Sequence, residues 1–500
     1  MLDALRKKWD EQPLVVIIFL ATFFRILSVI FSKGYGMHDD HFLIIEPAQS
    51  WVDNFDYNDW FNIPPPHSLF YTGLHFLFLK GFHTIGIYDP QVKVFFVRLL
   101  HALISLATII AGYKIANHYS GKKTARIVGL LLAIYWFMPF LSVRNLVEIA
   151  CIPFLILAVW LLINNTPKKY FINCFIAGAL CGFAFSIRYQ TILFTGGLGL
   201  VLLFQKKWRE TILLAIGSLL IIILLEGVVD FFIWDKSFTA FAEYVRFNVS
   251  HANAYFTQPW YNYFLLLGGI LIPPISIFLF FGFFRSWKKY LILFLPSFIF
   301  LAFHSYFPNK QERFILPIVP FIIILGIMGW NEFISQSVFW QKRKKLLTGC
   351  WIFFWTLNLV ALPVVSVAYT KKSYVEAMTY LSEQKDYKRL IMEESNRDGY
   401  SMPPFFYLGK WYTEGYIQTI TSQFSIDSVC NMVKKYPTLM PNYVLFLEEE
   451  NIEGRISNFK KCFPNLKYET TIQPGFIDKL VHWLNPINRN SVVTIYKINE

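Results

Sequence analysis

The sequence is poor in charged residues and in cysteine, and both shortages exclude common classes of protein. Only 16% of the 500 residues are charged, whereas a soluble globular chain carries about 25%. A water-soluble globular enzyme is therefore excluded. Six cysteines are too few for a disulfide-rich secreted scaffold. Cys430 and Cys462 lie in a polar tail, where they could pair if that tail faces an oxidising compartment.

Several motifs of well-known enzyme chemistry are also absent. The chain has no Walker phosphate loop, no dinucleotide-binding glycine fingerprint, no His-Glu-x-x-His zinc motif and no Gly-x-Ser-x-Gly nucleophile turn. ATP-driven transport by this chain alone is not expected, and no cofactor is predicted.

Long apolar segments are abundant, by contrast. Hydrophobic residues make up 55% of the chain, and many occur in blocks of roughly 17–25 residues, the length that crosses about 30 Å of hydrocarbon. We therefore predict an α-helical polytopic membrane protein. The eleven predicted spans are approximately residues 14–31, 92–116, 127–143, 149–163, 171–187, 191–204, 211–233, 261–284, 291–304, 314–330 and 347–368. The apolar segment 69–82 is shorter and is predicted to be an interfacial or re-entrant helix.

The net charge of +13 reflects topology and does not indicate a nucleic-acid partner. Basic clusters precede the first span and recur in every second connection, among them residues 6–8, 122–126, 206–209, 285–289 and 342–345. Positive residues favour the cytoplasmic side, so we expect a cytoplasmic N-terminus. The other connections then lie on the non-cytoplasmic face, in the periplasm of a bacterium or the ER lumen of a eukaryote.

An acidic cluster follows the first predicted span. Asp39, Asp40 and Glu46 lie within eight residues, together with His38 and His41. Carboxylates beside a membrane usually mark a site, and paired carboxylates suit general-base catalysis. They could equally bind a divalent cation, which the sequence does not require, so no metal site is predicted. The alternative interpretation is a solvated acidic loop.

Basic residues on the same predicted face oppose the topology rule and need another explanation. Arg144, Arg188, Arg246, Lys310 and Arg313 lie there. Arginine and lysine beside acids suit the binding of an anion next to a base, because guanidinium groups pair well with phosphate oxygens. The alternative is mutual ion pairing that closes loops.

Composition changes near residue 370. Short β-like runs at 390–392, 443–447 and 492–498 alternate with helix-capable stretches such as 452–463. We predict two domains: a membrane domain at 1–369, whose first external loop is 32–91, and a small extracytoplasmic α/β domain at 370–500, close to the usual size of one domain.

These motifs resemble those of a known family. Residues 37–42 read Met-His-Asp-Asp-His-Phe and are followed by Glu46. This is similar to the His-Pro-Asp-Glu-x-Phe motif in the first loop of GT-C type glycosyltransferases, most of all the dolichol-phosphate-mannose mannosyltransferases that extend lipid-linked oligosaccharides and GPI anchors. Further matches follow in the family's order, at residues 144–148, 182–188, 230–263 and 309–320.

The resemblance implies an inverting, direct displacement on a polyprenyl-phosphate sugar, expected to carry mannose, with a glycan or glycolipid as acceptor. Asp39 matches the general base, and Asp40 is its catalytic neighbour. By face and charge, we assign the donor phosphate to basic residues, namely Arg144, Arg188, Lys310 and Arg313. The predicted supporting residues are His41, Glu46, Glu148, Asn248, Trp260 and Glu312.

The sequence departs from the family pattern at three places. Met37-His38 replaces His-Pro, Asp40 replaces Glu, and Asn309 replaces the His before Lys310. These departures leave the identity of the sugar and of the acceptor open. The alternative acceptors are a protein and a lipid A-like glycolipid. A different class also stays open, a secondary transporter or flippase with an intramembrane charge relay. Within the predicted spans, the charged residues that could serve such a relay are Arg25, Arg98 and Glu226.

Overall fold

The computed structural model describes residues 2–164, 169–254, 256–398, 401–411, 416–422, 425–485 and 492–499. These residues are mostly helical, with one small sheet toward the C-terminus. They form two compact units. The helical unit contains Met1–Val29, Asp59–Leu74 and Val97–Val367, and the sheet unit contains Ile30–Asn58, His75–Phe96 and Ala368–Glu500.

The helices are numbered here in chain order. They are α1 (Leu2–Glu11), α2 (Pro13–Phe31), α3 (His38–Asp40), α4 (Glu46–Val52), α5 (Leu69–Thr84), α6 (Pro90–Ile134), α7 (Met138–Ser142), α8 (Val147–Ala150), α9 (Ile152–Ile163), α10 (Tyr170–Ile187), α11 (Ile192–Phe204), α12 (Trp208–Ile222), α13 (Val229–Trp234), α14 (Thr239–Ser250), α15 (Asn262–Ile270), α16 (Ile275–Arg285), α17 (Leu291–Tyr306), α18 (Val319–Gln336), α19 (Val338–Lys342), α20 (Lys344–Ser366), α21 (Lys372–Ser382), α22 (Phe405–Leu408), α23 (Ile426–Lys435), α24 (Ile452–Lys460) and α25 (Phe476–Leu484). Short π-helical turns occupy His41–Ile45 and Ile223–Val228, and 3₁₀ turns occupy Tyr189–Thr191, Glu312–Ile318 and Pro437–Leu439.

The predicted helical membrane protein is confirmed. Each of the eleven predicted spans overlaps at least one helix, but the span predicted at 127–143 is interrupted between the end of α6 at Ile134 and the start of α7 at Met138. Among the residues that the structure describes, six stretches are long and apolar enough to cross a membrane by length and composition, namely Pro13–Phe31, Pro90–Ile134, Tyr170–Ile187, Trp208–Trp234, Glu312–Gln336 and Lys344–Ser366. Four shorter apolar helices accompany them. Two predicted spans share α6, which breaks at Gly121 (φ 75°), a conformation that glycine adopts without steric cost. The span predicted at 261–284 is divided into α15 and α16 around Pro273-Pro274.

Close helix packing in the helical unit depends on glycine. A Cβ atom at Gly178 of α10 would lie 2.1 Å from the carbonyl oxygen of Leu214 in α12. A Cβ atom at Gly217 of α12 would lie 2.2 Å from the carbonyl oxygen of Phe175. Small residues let two apolar helices approach this closely in a membrane.

A five-stranded sheet forms the C-terminal α/β domain, in the order β2-β1-β3-β5-β4. The strands are β1 (Leu390–Glu394), β2 (Tyr416–Thr421), β3 (Tyr443–Leu447), β4 (Leu466–Ile472) and β5 (Val493–Ile498). β1 pairs in parallel with β2 and β3, and β5 runs antiparallel between β3 and β4. The apolar side chains of α23 and α24 pack on one face of the sheet. The pairing that the sequence left open is present, because Cys430 forms a disulfide with Cys462.

The sheet unit includes much of the first loop, which the sequence division had placed in the membrane domain. Hydrogen bonds explain the grouping, because the start of this loop pairs with the residues just before α21. Ser32 Oγ donates to the carbonyl oxygen of Ala368 (3.0 Å), and Thr370 Oγ1 donates to that of Tyr35 (2.7 Å). The extracytoplasmic position of this unit stays a prediction.

Candidate active site

The two neighbouring aspartates of the first loop have different environments. Asp40 is buried, and its two carboxylate oxygens accept hydrogen bonds from the backbone N–H groups of Gly36 (3.1 Å) and Met37 (3.0 Å). Asp40 therefore closes the turn that precedes α3. The Asp39 side chain is 39% exposed, and its Oδ1 lies 3.5 Å from Nδ1 of His38. Of the pair, Asp39 is the carboxylate that an incoming hydroxyl group can reach.

His41 and Glu46 form a buried pair in the same loop. His41 Nε2 lies 3.0 Å from Glu46 Oε1, and both side chains are almost fully buried. The same Glu46 oxygen accepts a hydrogen bond from the backbone N–H of Phe406 (2.9 Å). The His41 ring stacks on Tyr35 and Tyr407, with ring centroids 4.5 and 5.5 Å apart. The first loop is thus fixed to α22 through aromatic residues.

Sequence reasoning did not identify these aromatic partners. The run Phe405-Phe406-Tyr407 stands out as apolar in a polar tail, which was the one available signal. Tyr35 was also missed, although the rings it contacts, His41 and Phe42, lie only six and seven positions away.

In the helical unit, two arginines converge on one glutamate. Glu148 of α8 forms an ion pair with Arg188, and Arg313 Nε lies 3.7 Å from the same Glu148 oxygen. The Glu148 and Arg188 side chains are 1% and 3% exposed. Both guanidinium groups also lie over the ring of Phe314, at 5.2 and 5.4 Å from its centroid. Two guanidinium groups thus lie against one buried carboxylate, and guanidinium groups also suit the binding of an anion.

Local backbone structure explains how these residues meet. Arg188 follows the last residue of α10, where the chain becomes extended (φ −149°, ψ 108°). Arg313 belongs to the 3₁₀ turn that leads into α18. Each arginine is therefore placed where a helix ends or begins, at the end of an apolar segment.

Lys310 adds a further positive charge nearby. Its Nζ donates to the carbonyl oxygen of Phe307 (2.5 Å), and its backbone N–H donates to that of Phe256 (3.1 Å). Burial lowers the pKa of Lys310. Both Lys310 and Arg188 are near enough to His304 of α17 to act on it electrostatically. His304 was not predicted from the sequence.

The other predicted residues occupy different positions. Arg144 is buried, with its guanidinium 4.5 Å from the ring centroid of Phe140. Asn248 Nδ2 donates to the carbonyl oxygen of Tyr244 (2.9 Å). Burial raises the pKa of Tyr244 to about 12, and Arg188 and Glu148 act on the same hydroxyl. Asn248 is therefore one turn from a residue that borders the arginine cluster.

Trp260 and Glu312 lie at the surface of the helical unit. Trp260 is 66% exposed and contacts the rings of Tyr261 and Phe264 edge-on. Glu312 begins the 3₁₀ turn and is exposed. Their predicted supporting roles stay predictions.

The charges that sequence reasoning considered for a relay all have local partners in the helical unit. Glu226 accepts hydrogen bonds from Ser68 Oγ and Tyr189 OH, both at 2.7 Å. Arg25 donates to Ser105 Oγ (2.8 Å) and to the carbonyl oxygen of Ala133 (3.1 Å). Arg98 Nε donates to the carbonyl oxygen of Val29 (2.9 Å). Each charge stabilises helix packing through these bonds.

Within the described residues, no group of three or more His, Cys, Asp or Glu side chains is arranged to hold a metal ion.

Comparison with known proteins gives one family match and several relatives. A model of the Alg9-like mannosyltransferase family matches residues 16–408. Human GPI alpha-1,2-mannosyltransferase 3 is 23% identical over 310 residues, which are 60% of this chain and 54% of the relative. Mouse alpha-1,2-mannosyltransferase ALG9 is 24% identical over 357 residues, 65% of this chain and 56% of the relative. The chain therefore spans little more than half the length of these curated relatives.

Two solved structures share the fold. The structure of ArnT from Cupriavidus metallidurans bound to undecaprenyl phosphate has a TM-score of 0.60 at 12% identity, covering 96% of this chain and 97% of that one. The oligosaccharyltransferase from Archaeoglobus fulgidus in its apo form has a TM-score of 0.53 at 11% identity, covering 93% and 74%. The fold is thus the GT-C type that the first-loop motif implied.

Proposed function

The chain belongs to the Alg9-like mannosyltransferase family, and from this premise we propose that it transfers mannose from a polyprenyl-phosphate donor to a hydroxyl group of a glycan or glycolipid acceptor. The family match over residues 16–408 supports the reaction class. The named activities of the human and mouse relatives support the sugar. The undecaprenyl phosphate in the ArnT structure supports a polyprenyl-phosphate donor.

The observation that carries the proposal is the convergence of two arginines on the buried carboxylate of Glu148. Arg188 and Arg313 share this single carboxylate, and Lys310 lies two positions from the start of the 3₁₀ turn that carries Arg313. In a buried environment, charge-assisted hydrogen bonds from arginine to phosphate are strong and directional. We assign the donor phosphate to Arg188, Arg313 and Lys310, with buried Arg144 as a fourth candidate.

In the proposed reaction, the Asp39 carboxylate accepts the proton of the acceptor hydroxyl group as its oxygen attacks the anomeric carbon. The bond between that carbon and the phosphate oxygen breaks, and the configuration inverts. The leaving polyprenyl phosphate gains negative charge, which the basic cluster stabilises. Asp40 acts differently from the sequence expectation in this proposal, because its backbone hydrogen bonds make it a positioning residue for the loop.

We propose that the reaction requires no cofactor. We propose a cytoplasmic N-terminus and an active site on the non-cytoplasmic face. The recurrence of basic clusters in every second connection supports this orientation.

The hydrogen bonds of Arg25, Arg98 and Glu226 argue against a transporter. A proton or ion relay needs charged groups that face one another or a water-filled path. Arg25 and Arg98 instead donate to backbone carbonyl oxygens, and Glu226 is held by two hydroxyl groups.

The proposal is tested with purified protein in detergent, given polyprenyl-phosphate-mannose and a panel of lipid-linked, peptide and lipid A-like acceptors. We expect mannose transfer to a lipid-linked glycan, detected by mass spectrometry, with inversion at the anomeric carbon. The same panel with polyprenyl-phosphate-glucose is the control for the sugar. Transfer to the peptide or the lipid A-like acceptor alone would replace the proposed acceptor. Failure to bind either donor would contradict the reaction class.

A further inference from the structure

Helix α25 exposes an apolar face that is unusual for a domain outside the membrane. Phe476, Trp483 and Leu484 are 73%, 74% and 67% exposed, and Leu480 is 39% exposed. Their spacing places all four on one side of the helix. Among the described residues after Val367, the other large hydrophobic residues with this exposure are Tyr436 and Tyr468. The exposed apolar surface of this part of the chain is thus concentrated on α25.

The opposite side of α25 is fixed to the residues that follow the last membrane helix. Asp478 is buried, and its two carboxylate oxygens accept the backbone N–H groups of Lys371 and Lys372, both at 3.1 Å. Gly475 lies so close to Tyr369 that a Cβ atom would be 2.6 Å from its carbonyl oxygen. The first turn of α25 is therefore attached to residues 369–372.

Chain connectivity then relates α25 to the bilayer. α20 is one of the six helices that can cross a membrane, and it ends at Ser366. Tyr369 follows three residues later, so the covalent chain holds it within about 11 Å of that end. The attachment point of α25 is therefore close to the level at which the chain leaves the hydrocarbon.

We propose that α25 lies in the lipid–water interface of the membrane, with Phe476, Leu480, Trp483 and Leu484 inserted among the lipids. Tryptophan is enriched at this interface, and helices with one apolar face insert roughly 5–10 Å into the boundary between headgroups and acyl chains. Lys479 is the one lysine or arginine of the helix, so the contact is apolar and does not require anionic lipid. The inference depends on membrane embedding and is independent of the proposed reaction.

The test uses the full chain in nanodiscs of phosphatidylcholine. A bimane label is attached at Leu484→Cys or Phe476→Cys, and at Ser457→Cys on α24 as an exposed control. The bimane signal of the parent chain, which has no introduced cysteine, is subtracted from that of each variant. Size-exclusion chromatography checks that each variant is folded. Phosphatidylcholine carrying a doxyl group near the headgroup quenches labels in the lipid, and iodide quenches labels in water.

We expect the labels on α25 to be quenched severalfold more strongly by doxyl lipid than the label at Ser457→Cys, and more weakly by iodide. Iodide quenching equal to that of the control would place the face in water and overturn the proposal. Protection from both quenchers would also overturn it, because the face would then be covered by protein, such as a second copy of the chain.

Discussion

The shared carboxylate of Glu148 gives the sharpest test of the basic cluster. Its side chain is 1% exposed and pairs with Arg188, which is 3% exposed, and with Arg313. Glu148→Ala leaves two guanidinium groups without their shared counter-charge in a region of low dielectric. Breaking a buried pair from one side costs about 3–5 kcal/mol. This corresponds to roughly two to three and a half powers of ten in the folding equilibrium.

The exposed pair of Glu243 and Arg246 in α14 provides a matched control. It has the same chemistry, but its side chains are 24% and 77% exposed. Water screens exposed pairs, so Glu243→Ala should change the free energy of unfolding very little. Stability is measured by unfolding the purified variants with increasing SDS in mixed micelles, followed by circular dichroism.

A second variant separates charge from packing. Arg188→Met added to Glu148→Ala removes the charge whose ion-pair partner was deleted, so the double variant should be more stable than Glu148→Ala alone. Equal and small effects of Glu148→Ala and Glu243→Ala would refute the reasoning, because the Glu148 cluster would then be as hydrated as the surface pair.

Three further predictions concern packing, donor binding and pH. Gly178→Ala should lower stability by about 1–3 kcal/mol through overpacking, whereas Gly196→Ala has no atom within 4 Å of the new Cβ and should be tolerated in the same unfolding assay. Arg313→Gln should weaken binding of the polyprenyl-phosphate donor by roughly 10- to 100-fold, the value of a hydrogen bond to a charged group, while exposed Arg285→Gln should leave calorimetric affinity unchanged. A hydrogen bond from Lys497 lowers the pKa of Asp386. The ionised Asp386 therefore stabilises the fold above the unfolded-state pKa of about 3.9, and this stabilisation is lost as the pH falls through the folded-state pKa. The stability difference between wild type and Asp386→Asn should therefore be present at neutral pH and disappear in acid; a constant difference would contradict this assignment.

The membrane helices could be predicted because their signal is local. A run of apolar residues long enough to cross the hydrocarbon is visible without knowledge of its neighbours. β1, β3 and β5 could be predicted for the same reason, since each is a compact apolar run. β4 was missed because Lys467, Glu469 and two threonines interrupt any apolar pattern, and it lies at the edge of the sheet.

The candidate site could be predicted only in part. The sequence motif indicated Asp39 and Asp40 together, but their different burial depends on backbone N–H groups that no side-chain pattern reveals. Likewise, charge and topology indicated Arg188 and Arg313 as binding residues, while their convergence on Glu148 depends on helix ends far apart in the sequence. Local backbone geometry decides the first detail, and long-range contacts decide the second.

The central claim is that Asp39 is the general base of a mannosyl transfer, and one comparison tests it most directly. Purified wild type, Asp39→Asn and Asp59→Asn are assayed for transfer from polyprenyl-phosphate-mannose and for binding of the same donor. Asp59 is an exposed aspartate that accepts a hydrogen bond from Asn62, so its variant controls for the loss of a surface charge. We expect loss of transfer with retained donor binding in Asp39→Asn and full activity in Asp59→Asn. Wild-type transfer rates in Asp39→Asn would contradict it.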